Sequence, residues 1–150
     1  EDTRCSLTIL PETLAIGDVT QQGLPFYSGR IHYKLPLPEF KKKEAALLLA
    51  CPDFEGACVQ IPQPDANPLM IAWPPYQANI TRLAGQEVLD LVVVLTRRNT
   101  FGPLHQVPLN TGAYGPGNWI TEGAGFTENY NLYPAGLLQA PRLQIVDVVN

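Results

Sequence analysis

Between Leu24 and Pro38 the chain alternates: Ile31, Tyr33, Leu35 and Leu37 fall on one side, Arg30, His32 and Lys34 on the other. A period of two sends successive side chains to opposite faces of a strand, so this stretch predicts a β-strand with one solvated face. His32 reads as a surface histidine on that face. Pro36 and Pro38 lack the N–H that a neighbouring strand requires and keep the far end at a sheet edge. The run Val88-Leu89-Asp90-Leu91-Val92-Val93-Val94-Leu95-Thr96 has a different pattern. It is rich in β-branched residues and apolar on both faces, the composition of a strand covered on both sides. Gly85 before it and Asn99, Gly102 and Pro103 after it keep it too short for a buried helix. It is the predicted central strand.

Weaker patterns fill the rest. Residues 44–51 (EAALLLAC) and Ala57-Cys58-Val59-Gln60-Ile61 flank the loop Pro52-Asp53-Phe54-Glu55-Gly56 and predict a hairpin. Residues 62–68 are a turn by composition. Leu69-Met70-Ile71-Ala72 is a short strand entering the corner Trp73-Pro74-Pro75-Tyr76, with Trp73 expected in the core because apolar residues precede it. Asn79-Ile80-Thr81 matches a glycosylation pattern but reads as a capped turn, continuing through Arg82-Leu83-Ala84 to Gly85. Residues 97–105 form a loop, and a polar, glycine-rich span follows from Asn110 to Asn131. Loops of that length in a compact domain are usually functional or pack on a partner. Leu143-Gln144-Ile145-Val146-Asp147-Val148-Val149 is the last strand. Residues 1–18 read as an arm or linker, and 19–150 as one domain. Short strands separated by proline and glycine turns, without alternating helices, predict an all-β fold. One strand with a wet face and one with none suit two stacked sheets.

Composition narrows the function classes. With 150 residues the chain builds one domain with a real core, and falls short of the roughly 200 residues of a (β/α)8 barrel. The 15 prolines and 16% charged residues favour a loop-rich β chain. A net charge of −4 removes the electrostatic case for nucleic acid, and Lys41-Lys42-Lys43, followed by Glu44, reads as a solvated turn. No apolar run reaches the ~18 residues of a membrane span. The chain starts with Glu and shows no leader, so it is expected to be a segment of a longer protein, with its compartment unassigned. Cys5, Cys51 and Cys58 cannot all pair. If Cys51 faces Ala57 across the hairpin, Cys58 points to the other face and no bridge forms; a shift of one residue would permit one. Free, buried thiols are the expectation. No Cys-x-x-Cys and no histidine cluster suggests a metal, and no cofactor is expected.

Glycoside cleavage needs two carboxyl groups about 5 to 10 Å apart. Glu122 with Glu128, and Asp53 with Glu55, are the candidates, but none stands beside a motif, and the chain reads as non-catalytic. No Gly-x-Ser-x-Gly elbow or phosphate loop is present. Asp90 shares a strand face with Val88 and Val92 and needs a partner, for which Arg97 or Arg142 is available, unless it lies at the rim. Sugar recognition asks for other residues: aromatic rings that stack on the C–H faces of a pyranose, and polar groups that pair with its hydroxyls. Trp119 beside Asn118, with Tyr114, Glu122 and Tyr130, supplies these types in the long loop, and Asn99 and His105 frame a second loop. The competing reading packs Trp119 into the sandwich edge and has Asn99 stabilise a turn.

The succession Leu24-Pro25-Phe26-Tyr27-Ser28-Gly29, Ala72-Trp73-Pro74-Pro75-Tyr76, Asn79-Ile80-Thr81, residues 89–95, Arg98-Asn99, Gly102-Pro103-Leu104-His105 and Tyr133-Pro134-Ala135-Gly136-Leu137 resembles a known module. It is similar to the galactose-binding-like jelly roll of large bacterial glycoside hydrolases of the β-galactosidase, β-glucuronidase and α-L-rhamnosidase type. The resemblance spans roughly residues 20–145. It implies a jelly-roll β-sandwich attached to a separate catalytic domain, which either binds carbohydrate through its end loops or buttresses the neighbouring catalytic barrel. Such modules often carry an Asn-Gly turn where this chain has Gln63-Pro64-Asp65-Ala66. No catalytic residue carries over.

Overall fold

A computed structural model describes residues 9–40, 45–109 and 112–147. Cys5, the lysines at 41–43, Asn110 and the end of the last predicted strand lie outside them. The elements are β1 (Arg30–Pro36), β2 (Ala45–Ala50), β3 (Phe54–Glu55), β4 (Cys58–Gln63), β5 (Ala66–Ile71), β6 (Gln77–Asn79), β7 (Val88–Val94), the single-turn helix α1 (Arg98–Phe101), β8 (Gly136–Leu137) and β9 (Arg142–Asp147). Every strand pairing is antiparallel. One sheet has the order β1-β7-β4-β5, a second β6-β2-β9, and β3 pairs with β8. No helix among the described residues is long and apolar enough to cross a membrane.

The period-two patterns fix which face is buried. Ile31 and Tyr33 of β1, Leu89, Leu91 and Val93 of β7, Val59 and Ile61 of β4 and Ile71 of β5 meet Leu47 and Leu49 of β2 in one core. The larger and the smaller sheet thus stack as an all-β sandwich. Leu47, Leu49 and Leu91 are at most 2% exposed, and burying each contributes about 1.5–3 kcal/mol. Leu137 of β8 closes the core at 0% exposure, and its amide donates to the buried Tyr33 hydroxyl (3.1 Å).

Several sequence expectations are corrected. β7 is one of the two interior strands of its sheet, but only one of its faces is roofed by a second layer. On the other face Val88 is 49% exposed, while Val92 is buried because His32 and Gln60 stand opposite it on the flanking strands. Cover within the sheet therefore produces an apolar run without a second layer. β2 and β4 do not form a hairpin with each other. β2 pairs with β6 and β9, and β4 with β5 and β7. The loop between them holds a strand of its own, β3, and carries the chain from one layer to the other. Cys51 and Cys58 therefore lie in different settings, both buried and both free. Residues 62–68 are mostly strand, with a turn reduced to Pro64-Asp65. Proline at its first central position and φ of 55° at Asp65 match the order a type II turn requires. Trp73 is 77% exposed, because the chain bends outward after β5 through the cis Pro74–Pro75 corner. Residues 97–105, expected as loop, include α1.

Asn79-Ile80-Thr81 does form the expected capped turn: Asn79 Oδ1 accepts from the Thr81 amide (3.0 Å) and hydroxyl (2.6 Å). The Thr81 oxygen in turn accepts from the Leu47 amide (2.8 Å), tying this turn to β2. Asp90 meets neither arginine. Its Oδ2 lies 3.2 Å from His32 Nδ1, and its Oδ1 is buried without a partner.

Candidate functional site

Register gathers the loops at one end of the sandwich. Arg30, which opens β1, and Cys58, which opens β4, both stand opposite Val94, which closes β7. The start of β4 lies beside the end of β5, and the end of β2 beside the start of β6. Residues 24–29, 52–57, 72–76 and 95–99 therefore emerge together, joined by 133–135 leading into β8.

A cleft of about 350 Å³ opens among them, lined by Tyr27, Glu55, Thr96, Arg98, Asn99 and Tyr133. Arg98 is its centre of organisation. The guanidinium carbon lies 4.4 Å from the Tyr114 ring centroid and 4.2 Å from that of Tyr133. Contacts of this kind contribute about 0.5–2 kcal/mol each. Nη1 donates to the Gly112 carbonyl (3.4 Å) and Nη2 to the Tyr133 hydroxyl. The cation is thus held against two rings. Tyr27, 42% exposed, donates its hydroxyl to the Arg30 carbonyl (3.1 Å). Glu55 lines the same cleft, yet Arg98 and Glu55 form no ion pair, the His32–Asp90 contact being the one such pair between described residues.

The residues singled out in the sequence divide into groups. Tyr114 and Trp119 meet edge to face at 5.4 Å, with Trp119 49% exposed. Through Tyr114 this pair abuts Arg98, so the Trp119 loop and the cleft are contiguous. Tyr130 and His105 form a second cluster with Phe26: Tyr130 lies 4.8 Å from His105 and 4.9 Å from Phe26, centroid to centroid. His105 Nδ1 donates to the Thr127 carbonyl (2.9 Å). Asn118 turns inward on its own loop, its Oδ1 accepting from the Gly115 amide (2.8 Å) and its Nδ2 donating to Gln106 (3.2 Å). Glu122 stands exposed, away from these contacts. Asn99 is 6% exposed and is committed to Tyr133: Nδ2 donates to the Tyr133 carbonyl (2.7 Å) and Oδ1 accepts from its amide (2.9 Å). Its side chain shapes the cleft wall by fixing Tyr133.

Sequence reasoning missed Tyr27, Thr96, Arg98 and Tyr133 as site residues, and weighed Glu55 only as half of a carboxylate pair with Asp53. Arg98 and Tyr133 lie far apart in sequence; the Asn99–Tyr133 bonds and the direct contact of Arg98 with the Tyr133 ring and hydroxyl hold them together. The available signal was the aromatic richness of residues 114–133 combined with the preceding Arg97-Arg98 pair.

Among the described residues no three His, Cys, Asp or Glu side chains group as a metal site would require. Burial pushes the Cys51 thiol up to about 11, which keeps it neutral and unreactive at ordinary pH. The site thus offers aromatic faces, one fixed cation, one carboxylate and hydroxyls. It is equipped to bind a polar, ring-shaped ligand. No protein-family model, curated protein or solved structure matches the chain.

Proposed function

We propose that the chain is a non-catalytic carbohydrate-binding domain that takes a sugar at the loop end of the sandwich. The observation that carries the reading is the contiguous array Trp119–Tyr114–Arg98–Tyr133 beside the 350 Å³ cleft. Exposed rings supply stacking faces. Arg98, already fixed in place, donates to hydroxyls with little further loss of side-chain entropy. Glu55 and Thr96 add an acceptor and a hydroxyl. The jelly-roll type of sandwich and service as an accessory domain of a glycoside hydrolase belong to the same proposal, and they rest on the resemblance of the quoted residues alone.

Calorimetric titration of the chain with a panel of monosaccharides and plant oligosaccharides tests it. Binding is expected, with Trp119→Ala and Arg98→Ala each weakening it at least tenfold. Silence across the panel refutes sugar binding. It would favour the second reading, a module whose end loops dock on a neighbouring domain, for which the 65% exposed Phe101 and 47% exposed Val107 speak. Turnover of nitrophenyl glycosides by the chain would overturn its non-catalytic character.

A further inference from the structure

A second cleft, of about 310 Å³, opens at the same end on the far side of β3, lined by Asp53, Phe54, Ala72 and Tyr76 together with Glu55 and Gly56. Glu55 and Gly56 also line the first cleft. The two hollows are thus neighbours, divided by a ridge one strand wide. We infer that the ligand is a chain of sugar residues seated across both clefts, with Glu55 on the ridge as the acceptor common to the two subsites. This rests on the carbohydrate reading above and goes beyond it in naming an oligomer and a second subsite.

Three observations carry it. The first is size. Each hollow stands at the lower end of the 300–1,000 Å³ of small-molecule sites, room for one ring and its water, so an occupant gaining contacts from both must extend over the ridge.

The second is the shape of that ridge. A Cβ at Gly56 would meet the Val94 carbonyl oxygen at 2.8 Å and Val93 Cγ1 at 3.1 Å. The glycine lets the backbone press down against β7, and its own position adds no side chain to the divide. The next residue, Ala57, donates its amide to the same Val94 carbonyl (2.7 Å), which pins the ridge in place.

The third is chemistry. Glu55 is exposed and pairs with no described cation. An ionised carboxylate accepts from several hydroxyls at once, and such charge-assisted bonds are the stronger kind. Two carboxylates, Asp53 and Glu55, line the second cleft and no basic residue does, so the subsite favours hydroxyl donors and disfavours acidic sugars. Tyr76, 39% exposed and held edge to face by Phe54 at 5.4 Å, supplies the ring face. The second subsite therefore selects neutral sugar residues over uronates.

Titration calorimetry of the chain with cello-, xylo- and galacto-oligosaccharides of one to four residues, and with oligogalacturonides, tests the inference. The expected result is an affinity that rises at least tenfold from one residue to two or three in one of the neutral series, with oligogalacturonides weaker. Tyr76→Ala should abolish the increment while leaving monosaccharide binding within twofold. Asp53→Asn, which leaves the Asp53 carbonyl to hold Leu138 and Gln139, should reduce the increment as well and serves should Tyr76→Ala fold poorly. Glu55→Gln should weaken monosaccharide and oligosaccharide alike. Equal affinity for monomer and oligomer, or an increment untouched by both second-cleft variants, overturns the two-cleft inference and leaves the carbohydrate reading standing. Absence of binding to every sugar overturns both.

Discussion

Asn99 is a small side chain that serves as two backbone partners. Replacing it by alanine orphans the amide and carbonyl of Tyr133 inside a part-buried wall, and an unmade buried hydrogen bond costs about 1–3 kcal/mol. Urea unfolding of Asn99→Ala is expected to show a loss of about 3 kcal/mol. Asn99→Asp should fare no better, because it keeps the shape but points a second acceptor at a carbonyl. Cys51 sets a different limit. Its thiol, fully buried, has its pKa raised by burial from 9.0 to about 11, and Tyr33 is raised too, by burial, partly offset by the Leu137 amide. Both groups are held neutral in the fold. Their contribution is complete below the unfolded-state values and is lost as pH climbs through the folded ones. Stability should fall between about pH 9 and 11, by about 3 kcal/mol for Cys51 alone, and Cys51→Ala should flatten that slope in denaturant titrations. At this scale the sequence was legible where a single position carries the information: His32 sits on the wet face its alternation implied. The partner of Asp90 was not, since choosing His32 over Arg97 or Arg142 demands the β1–β7 register. Trp73 was misjudged because adjacency to apolar residues says nothing about where a proline corner turns the chain.

Among the elements, β8 shares with β3 the shortest length, two residues, and is tightly constrained. Gly136 has φ of 98°, and a Cβ there would meet the Tyr33 hydroxyl at 2.7 Å and Val19 Cγ1 at 3.0 Å. Only glycine accepts both the backbone conformation and the approach. Gly136→Ala is expected to lower the melting temperature sharply, by about 2 kcal/mol or more of stability from strain and displaced packing, as differential scanning fluorimetry will register. β1, β7 and β9 could be read from their residues because period and composition are local properties. The assignment of β2 and β4 to different sheets could not, because the loop between them is compatible with an in-plane return as well as with a crossing of layers. What decides is the pairing of Phe54 and Glu55 with Leu137 and Gly136, a contact remote in sequence. The Pro64-Asp65 turn was overextended on paper because prolines at 62 and 68 suggested loop, whereas the flanking strands accommodate them at exposed positions.

For the whole molecule, the all-β sandwich followed from short strands and breakers, while the make-up of the loop end did not. Of the residues the sequence singled out, Asn99 lines the cleft, Tyr114 and Trp119 abut it through Arg98, and Tyr130 and His105 form a separate cluster; the rest of the cleft is built from Tyr27, Glu55, Thr96, Arg98 and Tyr133, which antiparallel register brings together. One feature of that end reaches further. Because the Asn99 side-chain amide ties residue 99 to residue 133, everything from 100 to 132 departs from and returns to the same doorway, and no described residue of that span belongs to the core cluster. The sandwich keeps its pairings whatever is written in that interval. Length and sequence between those two positions are therefore where the core places the fewest demands on the chain.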